Sequence, residues 1–200
     1  MFPWARRIEQ YFARHDCRGT AHDGLQRELI PGWMRRREPF VDQLANYAYG
    51  DTPPLVAARM LLRTGLKGRF LDLGCGCGGV VLLAASTGLP AGGVDSNPAV
   101  LTLARRAQKD LGLRAHFQLL DLGQADTRSV DLAYAAATRF TPELMHRVEQ
   151  MFTAAPAGFR LVTVSQALSA VSPTDCWSER FSWGAPGEED EYPFFLHERS

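Results

Sequence analysis

A glycine-rich segment at residues 70–79, FLDLGCGCGG, constrains the fold of this 200-residue chain more than any other feature. An apolar run typical of a buried strand leads into it, and an apolar run typical of a helix follows. Its spacing is G-x-G-x-G rather than G-x-G-x-x-G. Glycine permits backbone angles that a side chain penalises, and it lets a bulky ligand approach the backbone closely. The segment therefore predicts a ligand-binding turn between a strand and a helix.

Strands and helices alternate around this turn, with helix starts at Asn97-Pro98 and Thr141-Pro142. The predicted strands are residues 69–73, 91–95, 115–120, 130–136, 159–167 and 192–198. Residues 170–190 fit no period and are expected to be loop, with a short element at 181–184. Strands separated by helices predict a doubly wound, mostly parallel α/β sheet.

The first 48 residues are predicted to be a helical extension of two or three short helices, and residues 49–200 to be the ligand-binding domain. A turn at 47–54 separates the two, and we expect Thr52 to be the N-cap of a helix that begins at Pro53.

Composition excludes several classes of protein. Lys plus Arg and Asp plus Glu are both 22, so the formal net charge of zero makes a nucleic-acid partner unexpected. The four cysteines lack the C-x-x-C spacing of a zinc or redox site, so no metal is expected, and free thiols indicate a reducing compartment. Without an apolar run of membrane-spanning length or a signal peptide, the expected location is the cytoplasm.

Carboxylates follow the predicted strands at the same edge of the sheet. Asp95 ends the second strand about 20 residues after the glycine turn, where a carboxylate can accept ribose hydroxyls. Asp121 ends the third strand, where it could read an adenine amino group. Asp72 precedes the first glycine, and its charge suits the ammonium and sulfonium of S-adenosylmethionine (SAM) better than the pyrophosphate of NAD. The alternative for each is structural, a tight turn or a helix cap.

Three segments resemble the first three motifs of class I SAM-dependent methyltransferases: Leu71-Asp-Leu-Gly-Cys-Gly76, Val94-Asp95 and Leu120-Asp121. The resemblance implies a Rossmann-like, seven-stranded sheet whose last strand, residues 192–198, is antiparallel. The candidate cofactor-binding residues are Tyr49, Thr52, Asp72, Gly74, Cys75, Gly76, Gly78, Asp95, Ser96, Asp121 and Leu122.

Local features are also similar to DOT1-type lysine methyltransferases. Tyr49-Gly-Asp-Thr52 resembles their Y-G-E-T loop, which implies a lid over the cofactor formed by Tyr49 and Thr52. Residues 137–143, ATRFTPE, stand where that family has N-N-F-x-F, but the paired asparagines are absent. Loops of the Y-G-D-T-P kind also resemble those of uncharacterised bacterial methyltransferases of similar length, which is the closer relation. Arg139 and Phe140, after the fourth strand, are the candidate acceptor-binding residues.

The leading hypothesis is a SAM-dependent methyltransferase that acts on a small molecule or a protein side chain. A non-catalytic module that binds SAM or a nucleotide stays open, because no catalytic base has a clear signature: His146 is expected at the surface and His116 to be structural. An NAD-dependent oxidoreductase is disfavoured by Asp72 and by the glycine spacing.

Overall fold

The computed structural model describes residues 3–15, 52–182 and 189–200. These residues form five helices, two short 3-10 turns and seven strands. In chain order the elements are α1 (Pro3–Arg14), α2 (Pro54–Arg63), β1 (Phe70–Leu73), α3 (Gly79–Ala85), β2 (Ala91–Asp95), α4 (Pro98–Leu111), β3 (His116–Leu119), a 3-10 turn (Leu122–Gln124), β4 (Leu132–Ala135), a 3-10 turn (Ala137–Arg139), α5 (Pro142–Ala154), β5 (Arg160–Val164), β6 (Asp175–Phe181) and β7 (Asp190–Glu198).

The strands form one sheet in the order β3-β2-β1-β4-β5-β7-β6. Strands β1 to β5 are parallel, and β7 is antiparallel to both of its neighbours, β5 and β6. This confirms the mostly parallel, seven-stranded sheet with an antiparallel last strand. The chain order reverses at β1, which has β2 on one side and β4 on the other. The carboxyl ends of strands at such a switch point form the crevice where open α/β sheets bind ligands.

Apolar clusters cover both faces of the sheet, as a doubly wound fold requires. On one face, Phe70 and Leu132 pack with buried residues of α1, α2, α3 and α4. On the other, Ala133 and Leu161 pack with the buried side of α5, including Phe152. The glycine turn therefore lies at the edge of a sheet that is buried on both sides.

The structure has a side-chain cap at two of the predicted helix starts and lacks one at a third. Asn97 accepts a hydrogen bond from the backbone N–H of Ala99 (2.9 Å) and so caps α4, and Thr141 caps α5. The prediction for Thr52 was wrong: the N-cap of α2 is Pro53, which forms no side-chain bond. The Thr52 hydroxyl lies instead 2.5 Å from the hydroxyl of Tyr134.

Strand β6 corrects the prediction that residues 170–190 are loop apart from a short element. Two of its inward positions, Asp175 and Glu179, are acidic, so the strand lacks the alternation of apolar residues by which strands are recognised. They are tolerated there because Arg63 and Arg59, one turn apart on α2, donate to them at 2.8 and 2.6 Å. The arginines that neutralise these acids lie more than a hundred residues earlier, so the local pattern gives no sign of them.

The amino-terminal helix confirms part of the predicted extension. In α1, Ala5 and Ile8 are fully buried, and the hydroxyl of Tyr11 donates to Asp110 of α4 at 2.7 Å. The further helices expected before residue 48, and the domain boundary at 48/49, lie outside the described residues. In the part of the chain that the structure describes, no helix is long and apolar enough to cross a membrane.

Candidate active site

The glycine turn is held against the end of β2 by two backbone hydrogen bonds. Gly74 N–H and Cys75 N–H both donate to the carbonyl of Val94 at 2.9 Å. Gly74 and Gly76 have φ of +81° and +51°, in the left-handed region that favours glycine. A Cβ atom on Gly74 would meet nothing nearer than the ring of Phe140, 3.8 Å away. One side of the turn is therefore bare backbone that a ligand can approach.

Two other residues of the turn serve packing. Gly78 has φ of +80°, and a Cβ atom there would lie 2.6 Å from the ring of Phe117. The buried side chain of Cys75 lies against Gly93, where a Cβ atom would be 2.5 Å from that of Cys75. Both residues were predicted to bind the cofactor. The structure leaves the Cys75 side chain turned towards β2, and it gives Gly78 a steric reason to be glycine.

The carboxylate of Asp95 braces the turn from the end of β2. It accepts hydrogen bonds from the backbone N–H of Asn97 (2.8 Å) and of Gly76 (2.9 Å). Burial raises the pKa of Asp95 above 3.8, and the N–H groups of Asn97, Gly76 and Ser96 oppose that rise. An ionised carboxylate has about four acceptor positions, so capacity remains for hydroxyl donors of a ligand. Asp95 thus has the position and the chemistry of a ribose ligand.

Asp72 lies beside the switch point of the sheet. Its residue is 3 % exposed, and its Cα is paired with those of Gly93 on β2 and Tyr134 on β4. Because side chains alternate along a strand, Asp72 shares the α2-covered face with Phe70 rather than the α5-covered face. A buried carboxylate next to a bare turn fits a cationic ligand group, such as an ammonium.

The end of β3 adds a third carboxylate, that of Asp121. Asp121 accepts from the N–H of Gly123 at 2.9 Å and from Arg147 of α5 at 3.0 Å. The N–H of Leu120 donates to the carbonyl of Asp95, which joins the ends of β3 and β2. The fold therefore brings Asp121 to the strand end next to that of Asp95, and Asp121 is engaged in a cap and an ion pair there.

Three more of the predicted cofactor-binding residues differ in their surroundings. Ser96 is exposed directly after β2, whereas Leu122 is 8 % exposed and packs in the cluster under α5. Tyr49 lies outside the described residues. Asn97, which was not predicted, has a buried side-chain nitrogen with no hydrogen-bond partner in the described part of the chain. This nitrogen is a donor two residues from Asp95, and it fits a ligand that brings an acceptor.

The loops after β4 and β5 are tied together beside the turn. The hydroxyls of Thr138 and Ser165 are 2.8 Å apart, and Ser165 has φ of +69°, a strained value for a residue other than glycine. The amide of Gln166 donates to the carbonyls of Ala137 (2.6 Å) and Phe140 (3.0 Å). These bonds fix the loop that carries the predicted acceptor residues.

The two predicted acceptor residues occupy different places on this loop. Arg139 is exposed, and Phe140 is half-buried with its ring towards Gly74. Tyr134, Thr138, Ser165 and Gln166 were not predicted. The sequence did contain a signal for these residues, because polar side chains stand at the ends of the predicted fourth and fifth strands. The described residues hold no cluster of three or more His, Cys, Asp or Glu side chains that could bind a metal, and His116 and His146 are exposed.

Comparisons with known proteins agree with this geometry. Residues 70–158 match the family model described as a methyltransferase domain. No curated protein sequence matches the chain significantly. An RNA methyltransferase from Salinibacter ruber, solved with S-adenosyl-L-homocysteine (SAH), is similar with a TM-score of 0.60 and 22 % identity, over 72 % of this chain and 90 % of that one.

A second solved structure is similar along almost the whole chain. Magnesium protoporphyrin IX methyltransferase from Synechocystis PCC 6803, with bound SAM, gives a TM-score of 0.59 at 17 % identity, over 98 % of this chain and 97 % of that one. At such identities the likeness is one of fold. Because residues 70–158 match a methyltransferase domain and the remaining strands complete the sheet, we conclude that this chain carries a methyltransferase domain with the fold of SAM-dependent methyltransferases.

Proposed function

We propose that SAM lies across the ends of β3, β2 and β1 and that its methyl group points towards β4. In this pose Asp121 faces the adenine, Asp95 accepts the ribose hydroxyls, and Asp72 faces the ammonium. Ser96 and the backbone of the glycine turn line the crevice between them. SAM supplies an electrophilic methyl group on a sulfonium, and the chain supplies orientation and a site without water.

The observation that carries this proposal is the position of Asp95. Its carboxylate is braced by Gly76 and Asn97, so its oxygens are oriented before any ligand arrives. Orientation before binding reduces the entropy that a ligand must lose to form the same hydrogen bonds. A carboxylate fixed in this way beside bare backbone is well suited to a nucleoside and poorly suited to a pyrophosphate.

The acceptor, in this proposal, is a small molecule or a protein side chain bound over the loops after β4 and β5. Arg139, Phe140 and the hydroxyls of Thr138 and Ser165 lie on these loops. Net charge of zero gives the chain no general attraction to a polyanion. One similar structure is nevertheless an RNA methyltransferase and another acts on a porphyrin, so the experiment must sort acceptors by class.

Calorimetry with SAM, SAH and NAD tests the cofactor assignment. We expect binding of SAM and SAH and none of NAD. Transfer of tritiated methyl to a cell lysate then tests the acceptor, after division into an ultrafiltrate, an acid-precipitated protein fraction and an RNA fraction treated with or without RNase. Label in the ultrafiltrate or the protein fraction supports the proposal. RNase-sensitive label would refute the acceptor class, and SAM binding without transfer to any fraction would favour a non-catalytic module.

A further inference from the structure

A pair of buried hydroxyls joins the start of α2 to the middle of the sheet. Thr52 and Tyr134 are 4 % and 1 % exposed, and their hydroxyl oxygens are 2.5 Å apart although the residues are 82 positions apart in the chain. The hydroxyl of Thr52 does not cap α2. A buried polar pair of this kind costs desolvation, so its presence here calls for a physical reason.

The sheet register gives Tyr134 a specific neighbour. Tyr134 of β4 is paired with Asp72 of β1, and both side chains lie on the face covered by α2. Neighbouring strands are about 4.8 Å apart, so the two side chains leave the sheet next to each other on that face. In the pose proposed above, the strand order β3-β2-β1-β4 puts adenine, ribose and methionine in that sequence along the sheet. The hydroxyl pair therefore lies at the methionine end.

The backbone next to Thr52 is stiff. Pro53 and Pro54 follow it, and a residue before proline is restricted to extended conformations. The carbonyl of Pro53 accepts from the N–H of Ala57 at 3.0 Å, which anchors this segment to the first turn of α2. Thr52 thus brings its hydroxyl to Tyr134 from a segment with little freedom of its own.

We propose that the Thr52–Tyr134 hydroxyl pair positions the methionine end of the cofactor site. The pair fixes the Tyr134 ring beside Asp72 and holds the start of α2 over the same place. Both residues act through Asp72 and are positioning residues. This inference rests on the proposed placement of SAM, and it adds two residues that position Asp72 for the amino-acid part of the cofactor.

Two ligands that differ only at that end test the inference. SAH carries the amino-acid part, and 5′-methylthioadenosine has a methyl group in its place. Thr52→Val and Tyr134→Phe each remove one hydroxyl at nearly constant shape. Because the methionine end of the site is then held less firmly, we expect each to raise the Kd for SAH about fivefold or more, equivalent to about 1 kcal/mol, and to leave the Kd for methylthioadenosine within twofold. Thr52→Ser keeps the hydroxyl and should retain the wild-type Kd for SAH.

The double variant separates positioning from stability. Each single variant breaks the bond between the two hydroxyls and keeps one of them buried, which should lower the unfolding temperature. Thr52→Val with Tyr134→Phe removes both hydroxyls and should recover part of that loss. We expect the loss of SAH affinity to persist in the double variant. Thr64→Val is the matched control, since it removes a buried hydroxyl from the other end of α2, where it donates to the carbonyl of Met60 at 3.0 Å.

Three outcomes would overturn the inference: equal weakening of both ligands, recovery of SAH affinity together with stability in the double variant, or wild-type protein that binds both ligands equally. Failure of the proposed cofactor site itself would be recognised separately. In that case Asp95→Ala would leave the affinity for methylthioadenosine unchanged, because the ribose would not meet that carboxylate.

Discussion

Replacement of Asp95 by alanine is the sharpest test of the cofactor site. In the proposed pose, the substitution removes two hydrogen bonds from the ribose hydroxyls to an ionised carboxylate. A bond to a charged group contributes about 1.5–3 kcal/mol, so the pair is worth about 3 kcal/mol at the lower end of that range. That energy corresponds to a roughly 100-fold rise in the Kd for SAM, because each 1.4 kcal/mol is tenfold.

The structure also predicts a second contribution to this loss. Without the carboxylate, the N–H groups of Gly76 and Asn97 lose their acceptor, and the glycine turn loses its brace. Asp95→Asn keeps the shape and one acceptor oxygen, but its amide nitrogen would face one of these two N–H donors. We therefore expect an intermediate loss, about 1.5 kcal/mol or tenfold in Kd.

Isothermal titration calorimetry with SAM measures these losses, and thermal unfolding checks that each variant is folded. Asp126→Ala is the control, because Asp126 is an exposed aspartate that forms an ion pair with Arg128 at 2.8 Å. The control should retain the wild-type Kd. A Kd for Asp95→Ala within threefold of wild type, in a folded protein, would refute the assignment of Asp95 to the ribose.

Three further predictions concern pH and packing. Burial raises the pKa of Asp95, and the proposed bonds to the ribose need its ionised form. Calorimetry should therefore show the affinity for SAM falling on acidification at a pH above the pKa of an ordinary aspartate, with a flatter profile in Asp95→Asn. Gly78→Ala should lower the free energy of unfolding in urea by about 3 kcal/mol, because its Cβ atom would overlap the ring of Phe117. Gly112 also has a positive φ, of +67°, but its Cβ atom would lie in open space, so Gly112→Ala should cost only about 1 kcal/mol. Equal losses would contradict the steric argument. Burial lowers the pKa of His197 below 6.5, so the unfolded chain protonates this histidine more readily than the folded chain does. The unfolding temperature should therefore fall as the pH drops below about 6.5. A His197→Phe variant with the same pH dependence would exclude His197 as the cause.

The sequence by itself determined the parallel part of the sheet and the edge at which its strands end. Alternating strands and helices, and a glycine turn after the first strand, are local patterns that depend on backbone geometry and burial, so they can be read without tertiary information. The position of Asp95 at the end of β2 was predicted for the same reason, since parallel strands end at one edge of the sheet. The resemblance supplied what periodicity could not, the antiparallel last strand.

Only the tertiary structure decided which side chains face the crevice and which serve packing. Cys75 turns onto Gly93, and Gly78 is needed to admit Phe117, contacts between segments far apart in the chain. Thr52 was expected to cap a helix, yet its hydroxyl meets that of Tyr134. Strand β6 was missed because its inward acids break the apolar alternation, and the arginines that neutralise them lie on α2. In each case the deciding partner is distant in sequence, and a local pattern carries no information about such a contact.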